Sequence, residues 1–524
     1  MSQTRKKMGI AATIMVVSVF MSRILGYVRD AVIAYTQGAH AGTDAYFAAF
    51  TIPDFMNYLL AGASLSITFI PIYAAYMSRD DREGGNLAFS AIFCILSLCL
   101  VILVIVGEVF ADRLVPLIAP GFQGDQITVT ARLTRIVMPA QIFFYTGGLF
   151  MAVQYARGRF FIPALAPLIY NTGIIAGGLL LGKKMGMEGF AWGVLAGSFV
   201  GNFLLQLLGA YAAGLRIRFS FDLKHPGFRE FLRLSIPIML GFSLVFVDEW
   251  MSRIFGSFLV AGAITWLNNA RRLAQVPIGV LGQASGVASY PFLAEHAAKG
   301  KIRTMFSDMS ATLDWVFFSS SLAACLVFLF SREVVLIVFK RGAFSIHDTV
   351  NTASALAFFA LGVPFWCSQN IVARGFFAMK DTLTPTIVGS VAWVLTLPAY
   401  YFLMVRFGVN GLAAASTIGI ILHTLFLYAF LLRKTQIRLS FQAVKVPLIS
   451  TILCSLVIAG TRELLKEAGF LPPWDHMSGA LVRLGVGTVI ISLLFLMTGF
   501  MLRLGPAKTI LGKVLPVADN NALE

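Results

Sequence analysis

Charged residues stand where this chain is otherwise apolar. Arg23, Arg29 and Asp30 lie in the run Phe20-Met21-Ser22-Arg23-Ile24-Leu25-Gly26-Tyr27-Val28-Arg29-Asp30. Asp44 opens the next apolar run, and Asp54 follows Pro53 within it. Farther on come Asp248, Glu249 and Arg253, then the pair Arg271-Arg272. Ionised side chains at membrane depth are expensive, so each must be paired or used. Arginine suits a phosphate: its planar fork gives two parallel charge-assisted bonds and it does not deprotonate. These residues read as a net basic set at a pseudo-symmetry axis, and a basic cavity implies an anionic, phosphorylated substrate. Arg23 and Arg29 are six residues apart, which is 240° around a straight helix. Gly26 between them permits a bend that would align them.

Each charge also has a plainer reading. Arg29 adjoins Asp30, which neutralises it as well as a ligand would. Arg157 and Arg374 begin connections and read as topology or head-group contacts. Asp248 is a candidate for a cation site, although Arg253 is near enough in sequence to neutralise it. The five cysteines (Cys94, Cys99, Cys325, Cys367, Cys454) all fall in apolar runs and lack metal or disulfide spacing. The six histidines are scattered. No Walker lysine motif is present, and Gly186-x-x-Gly189 follows no strand, so a nucleotide-driven pump is disfavoured. Catalysis and a resident metal or cofactor are not expected. The remaining energy sources are a Na+ gradient or the membrane potential.

The elements that must hold these charges are transmembrane helices. Of 524 residues, 58% are hydrophobic and 13% charged; a soluble chain carries about 25% charged residues. Fourteen apolar windows run near 9–35, 42–76, 87–108, 130–155, 163–182, 188–214 and 234–258, then 263–294, 311–330, 351–374, 384–405, 411–432, 444–461 and 478–502. The first, second, seventh and eighth exceed a simple span and are expected to bend. With the N-terminus inside, lysine and arginine are roughly twice as frequent in the inside segments, which places both termini in the cytoplasm. The net charge of +16 therefore reports membrane topology and not nucleic acid. The basic, amphipathic stretch from Arg216 to Arg233 reads as an interfacial linker.

An internal repeat organises the windows. Trp250-Met251-Ser252-Arg253-Ile254-Phe255-Gly256 repeats the opening phrase at a separation of 230. Ala156-Arg157-Gly158 returns as Ala373-Arg374-Gly375, Pro167 as Pro385, Gly186-Met187-Glu188-Gly189 as Gly408-Val409-Asn410-Gly411, and Gly62 and Pro71 as Gly282 and Pro291. These separations are 217, 218, 222 and 220. Six helices match six in the same orientation, so the repeat is parallel. The expected fold is all-α: fourteen transmembrane helices in two pseudo-symmetric six-helix lobes, 1–215 and 234–435, joined by a linker at 216–233. Two additional helices occupy 436–524. The repeat sets Arg253 opposite Arg23.

The residues carry a resemblance. Phe20 to Arg29-Asp30-Ala31, Gly42-Thr43-Asp44-Ala45-Tyr46-Phe47 and Phe50-Thr51-Ile52-Pro53 resemble the opening of the MurJ (MviN) family. So do Ala119-Pro120-Gly121-Phe122, Pro163 to Pro167, and Arg272-Leu273-Ala274-Gln275-Val276-Pro277-Ile278-Gly279-Val280-Leu281-Gly282. Within the multidrug/oligosaccharidyl-lipid/polysaccharide exporter superfamily, MurJ proteins flip lipid II, the undecaprenyl-pyrophosphate-linked peptidoglycan precursor. The resemblance implies alternating access in the bacterial inner membrane, with the last two helices forming a groove for the lipid tail. It implies that Arg23, Arg29 and Arg272 bind the pyrophosphate and head group, and that Asp30 and Asp44 position those arginines or gate the cavity. Its partners would be the polyprenyl glycolipid, membrane phospholipids and cell-wall synthesis enzymes. The chain departs from the family where an arginine pair is usual, having Asn57-Tyr58, and where Ala-Asp-Arg-Leu is usual, having Ala270-Arg271-Arg272-Leu273. Arg253 is expected to restore the lost charge. The alternatives are a flippase for another polyprenyl-linked saccharide such as an O-antigen or exopolysaccharide, a cation-coupled drug exporter, and a non-transporting scaffold. The exporter is disfavoured by the basic set and the extra helix pair.

Overall fold

The structure is a computed structural model. It describes residues 3–60, 68–242, 247–436, 449–450, 452, 474–502 and 504–514. Among these the regular elements are helices, and nine helices are long and apolar enough to cross a bilayer. The protein is an all-α, multi-pass membrane protein. Thirteen of the fourteen sequence windows coincide with described helices; all of the window at 444–461 except residues 449, 450 and 452, and with it half of the expected tail groove, lies outside the described residues.

The chain forms two compact units, residues 1–265 with 341–345, and residues 266–340 with 346–524. This division by packing falls later than the division by repeat. The seventh window starts the second repeat, yet it packs with the first unit.

In the first unit, α1 (Gln3–Gln37) runs unbroken through Gly26. Its 35 residues would extend about 52 Å, well beyond a 30 Å hydrocarbon core. The second window is broken as expected: α2 (Ala41–Ala49) stops at Phe50, and α3 (Thr51–Leu60) restarts with Pro53 in its first turn. Pro suits a first turn because its missing N–H would have no intrahelical partner there. Next come α4 (Ile70–Ser78), α5 (Arg82–Val109), α6 (Ala111–Ile118), α7 (Asp125–Val137) and α8 (Ala140–Ala156). The hairpin of α9 (Phe161–Met185) and α10 (Met187–Ser198) follows, and a π-helical turn at Phe199–Leu204 leads into α11 (Leu205–Ala212). Beyond the linker lie α12 (Pro226–Phe242) and α13 (Val247–Gly256). Phe69, Tyr73, Phe89 and Phe150 stack at the core of α4, α5 and α8.

The α9–α10 hairpin packs backbone to backbone. A methyl group at Gly177 would lie 2.6 Å from Gly193 Cα, and one at Gly173 would lie 2.6 Å from Gly197 Cα. Glycines spaced by four on each helix make this approach possible, as lipid-embedded helices gain from close packing more than from the hydrophobic effect.

The second unit holds most of α14 (Ala263–Pro277), which passes through a π-helical turn at Ile278–Gln283 into α15 (Ala284–Ala298). Then come α16 (Ile302–Leu329), α17 (Ser331–Phe339), α18 (Ile346–Ala378) and α19 (Leu383–Thr435). The last is two helices, 383–407 and 409–435, meeting at Gly408. The helix Met477–Met501 packs on α16 and α17, with Phe318 against Phe495 and Arg483 reaching Glu333. Cys94, Cys325 and Cys367 are buried, whereas Cys99 is exposed; on a lipid-facing helix an exposed small apolar residue is ordinary.

The backbone carries the repeat more sharply than the sequence does. Residues with positive φ among those described fall into pairs: Asp80 with Gly300, Gly124 with Gly342, Gly158 with Lys380, Gly186 with Gly408, and Gly214 with Gln436. Gly186 and Gly408 are nearly superposable in conformation, at φ 56, ψ −130 and φ 55, ψ −128. Left-handed backbone is rare for most residues, so five pairs in chain order are not coincidence. Short α6 and α17 recur too, each directly after a long helix. The turn at Gly186 and Gly408 fixes the register of the preceding helices at 222 residues, which matches Pro385 with Pro163 and not with Pro167. Arg157 and Arg374 fall five residues out of this register but make like contacts: each guanidinium lies over a tyrosine, Tyr73 at 5.7 Å and Tyr290 at 6.0 Å. The match of Arg253 with Arg23 does not hold. Helix starts at Ala41 and Ala263 imply a separation of 222, and the turn glycines Gly38 and Gly262 imply 224. Arg253 therefore falls near Arg29.

Candidate functional site

α1 being continuous, Arg23 and Arg29 keep their angular separation. Arg23 is exposed, while Arg29 turns inward against α9. The Arg29 guanidinium donates to Asp30 Oδ1 from Nε at 2.9 Å and from Nη2 at 2.8 Å. Its Nη1 donates to Asn171 Oδ1 at 3.2 Å. Asn171 itself is fixed from α9 by its amide, which donates to the Pro167 carbonyl at 2.9 Å. The Arg29 side chain retains 16% accessibility and that of Asp30 only 1%. Asp30 and Asn171 thus hold the Arg29 guanidinium from two sides. The single asparagine in the apolar fifth window was the available signal for this role.

Asp44 does different work. Its Oδ2 accepts from the Gly262 N–H at 2.6 Å. Its Oδ1 accepts from the Thr265 N–H at 2.8 Å and the Thr265 hydroxyl at 2.6 Å. The carboxylate therefore caps the N-terminus of α14, where unpaired N–H groups and the helix dipole favour negative charge. Thr43 adds a hydroxyl contact to Thr265 at 3.0 Å. Asp44 joins α2 to the start of α14.

Arg253 is enclosed by acids. It meets Glu249 one turn earlier at 2.7 Å, Asp54 on α3 at 3.1 Å and the Thr51 hydroxyl at 3.2 Å. Its side chain is 9% accessible. Asp248, five residues earlier, is also buried. Among the described residues no cluster of three or more His, Cys, Asp or Glu side chains forms a metal site. In the second unit, the Arg271 guanidinium lies over the Phe359 ring at 5.1 Å, and Arg272 is half-buried. Asn57 is half-buried on α3. Counted by sign, the five arginines are matched by five carboxylates, so the set is not basic overall.

A backbone repeat within an all-α membrane protein, with arginines inside apolar helices, is a feature of secondary transporters. The family model described as lipid II flippase MurJ matches residues 33–481. The chain belongs to the lipid II flippase MurJ family. The lipid II flippase MurJ of Burkholderia cenocepacia is 28% identical over 426 residues, covering 79% of this chain and 82% of that protein. A probable lipid II flippase MurJ of Buchnera aphidicola subsp. Schizaphis graminum is 27% identical over 463 residues, covering 87% and 88%. Among solved structures, a lipid II flippase MurJ in an inward closed conformation aligns with a TM-score of 0.75 at 23% identity, over 92% of this chain and 99% of that one. An inward-facing multidrug resistance MATE family transporter aligns at 0.66 and 15% identity, over 80% and 98%. These structural likenesses establish the fold.

Proposed function

We propose that the protein flips lipid II between the leaflets of the bacterial cytoplasmic membrane. The observation that carries this is membership of the lipid II flippase family across residues 33–481. In this reading the glycolipid head group enters a polar path while its polyprenyl tail remains in lipid. Arg29 binds a phosphate, with Asp30 and Asn171 holding its guanidinium in one orientation so that little side-chain freedom is lost on binding. Arg23 supplies a further donor in the same unit, and Arg272 is a candidate ligand of the second unit in its own right. Asp44 acts as a gate pin, since releasing it exposes the first N–H groups of α14. No bond is made or broken, so the activity is transport and not catalysis. The lack of a nucleotide-binding motif in the sequence supports an ion gradient or the membrane potential as energy source. The charge bias supports both termini in the cytoplasm.

For Arg253 the geometry favours a clamp between α13 and α3 over a ligand. Two carboxylates already share its donors, and an incoming pyrophosphate would have to displace them. The departures at Asn57 and Arg271 favour, as a second reading, a different polyprenyl-linked saccharide as cargo.

Complementation of a bacterium depleted of its lipid II flippase tests both. The unmodified chain restores growth, and Arg23→Ala, Arg29→Ala and Arg272→Ala do not, despite normal membrane levels. Arg253→Gln restores growth at low temperature, with reduced protein stability. Failure of the unmodified chain at normal expression rejects lipid II as cargo. Loss of growth by a fully stable Arg253→Gln would return Arg253 to the ligand set.

A further inference from the structure

The segment joining α11 to α12 is fastened to the first unit yet presents its largest apolar side chains outward. Leu215 is fully buried, and Ile217 packs on the aromatic core. The Arg216 N–H donates to Asn86 Oδ1 at 3.5 Å and the Arg218 N–H to Ser90 Oγ at 3.0 Å, so the strap runs along α5. Immediately after this attachment Phe219 is 90% exposed, followed by Phe221 at 59% and Leu223 at 61%. Nothing in the fold requires three large apolar side chains to leave the core together.

Depth along α5 explains them. Ser90 is eight residues into that helix, about 12 Å from its start, and lies inside the apolar window that begins near residue 87. The strap backbone at Arg218 is therefore at the edge of the hydrocarbon. The Arg218 guanidinium reaches back to Glu83 Oε1 at 2.6 Å, seven residues or about 10 Å nearer the polar start of α5. That is a snorkelling arginine, with its backbone at the apolar boundary and its charge at the polar one. Around the same strap Arg216, Lys224, Arg229 and Arg233 are exposed and no carboxylate among the described residues pairs with them. The acids of the segment, Asp222 and Glu230, are fewer.

We infer that this strap is a phospholipid anchor. Phe219, Phe221 and Leu223 insert among the upper acyl carbons of the adjacent leaflet, and the four basic side chains without a carboxylate partner bind anionic head-group phosphates. Aromatic and basic residues divide in this way at membrane interfaces. The anchor is independent of the transported cargo. It fixes the first unit at a set depth.

The test uses the full chain in liposomes. Phe219→Cys and Lys224→Cys are each exposed to a membrane-impermeant maleimide, and labelling at the new position is read by mass spectrometry, which separates it from the native cysteines. The anchor requires position 219 to react at least tenfold more slowly than position 224. In parallel, the unfolding midpoint is measured in phosphatidylcholine and in phosphatidylcholine with phosphatidylglycerol. The unmodified chain gains stability from the anionic lipid and loses that gain in high salt, as screening demands. A chain with Arg216, Lys224, Arg229 and Arg233 all changed to Gln shows no gain. Equal labelling at the two positions, or an equal gain in both chains, overturns the proposal. Disulfide-linked dimers formed by the Phe219→Cys chain through its introduced thiol would assign the patch to a second copy of the chain and overturn it equally.

Discussion

The hairpins α9–α10 and 383–407/409–435 turn through glycines of the same conformation, yet fifteen residues before each turn they differ completely. The first has Asn171, which holds Arg29. The second, at the same register, has Trp393, buried and packed on Gly419, where a methyl group would lie 2.3 Å from the indole. One backbone thus serves two ends. In the first unit an amide uses its hydrogen bonds to aim a charge, and the helices close by glycine-to-glycine contact. In the second unit an indole fills the corresponding volume. The pseudo-symmetry belongs to the frame, and the Asn171-held arginine belongs to the first unit.

The largest effect expected from breaking this comparison is at Arg29. Arg29→Ala should reduce flipping to background with the protein still folded, and Arg29→Lys should recover part of it, since a point charge lacks the bidentate fork. Full activity of Arg29→Ala would remove the first unit's claim to the site. Next is Trp393→Ala, which should lower stability by about 3 kcal/mol through the cavity left behind while leaving substrate affinity unchanged, as read by unfolding and binding measurements on one sample. An affinity loss without a stability loss would make the second hairpin a ligand platform as well. Asp44→Ala should cost about 2 kcal/mol, the usual range for hydrogen bonds to a buried charge; an unchanged unfolding midpoint would show that the cap on α14 is dispensable. Asn171→Ala should slow flipping about tenfold, about 1.4 kcal/mol, at constant stability. If stability falls in step with rate, Asn171 is packing and does not aim Arg29.

The smallest effect lies at Asp381, outside the spans. Burial opposes its charge, but hydrogen bonds from Lys434 and Thr384 carry the carboxyl down to about 2. A depressed folded value contributes stability above the unfolded value near 4 and loses it as pH falls through about 2. Asp381→Asn should therefore unfold more readily than the unmodified chain at neutral pH, with the gap closing towards pH 2. A gap that does not change with pH would mean the pairing contributes nothing.

Much of the frame was legible in the sequence. Apolar windows located thirteen helices, and Gly186 with Gly408 announced the repeat because a turn of that shape tolerates few other residues. The register was less legible. Trp250 to Gly256 resembles Phe20 to Gly26 in letters, but helix faces are set by turns and packing, and these shift the alignment by six to eight residues. The site was legible in its arginines and not in their partners. Arg29 and Asn171 are 142 positions apart, as Arg253 and Asp54 are 199 apart, and no local pattern encodes such pairs. Gly26 does not interrupt α1, because a lone glycine weakens a helix without breaking it.

The central claim is that an arginine held by Asp30 and Asn171 binds the phosphate of a lipid-linked cargo. Reconstituted translocation of lipid II tests it most directly, with the unmodified chain and Arg29→Ala in matched liposomes. Head-group transfer by the first and background transfer by the second are expected at equal protein incorporation. Equal transfer by both would contradict it.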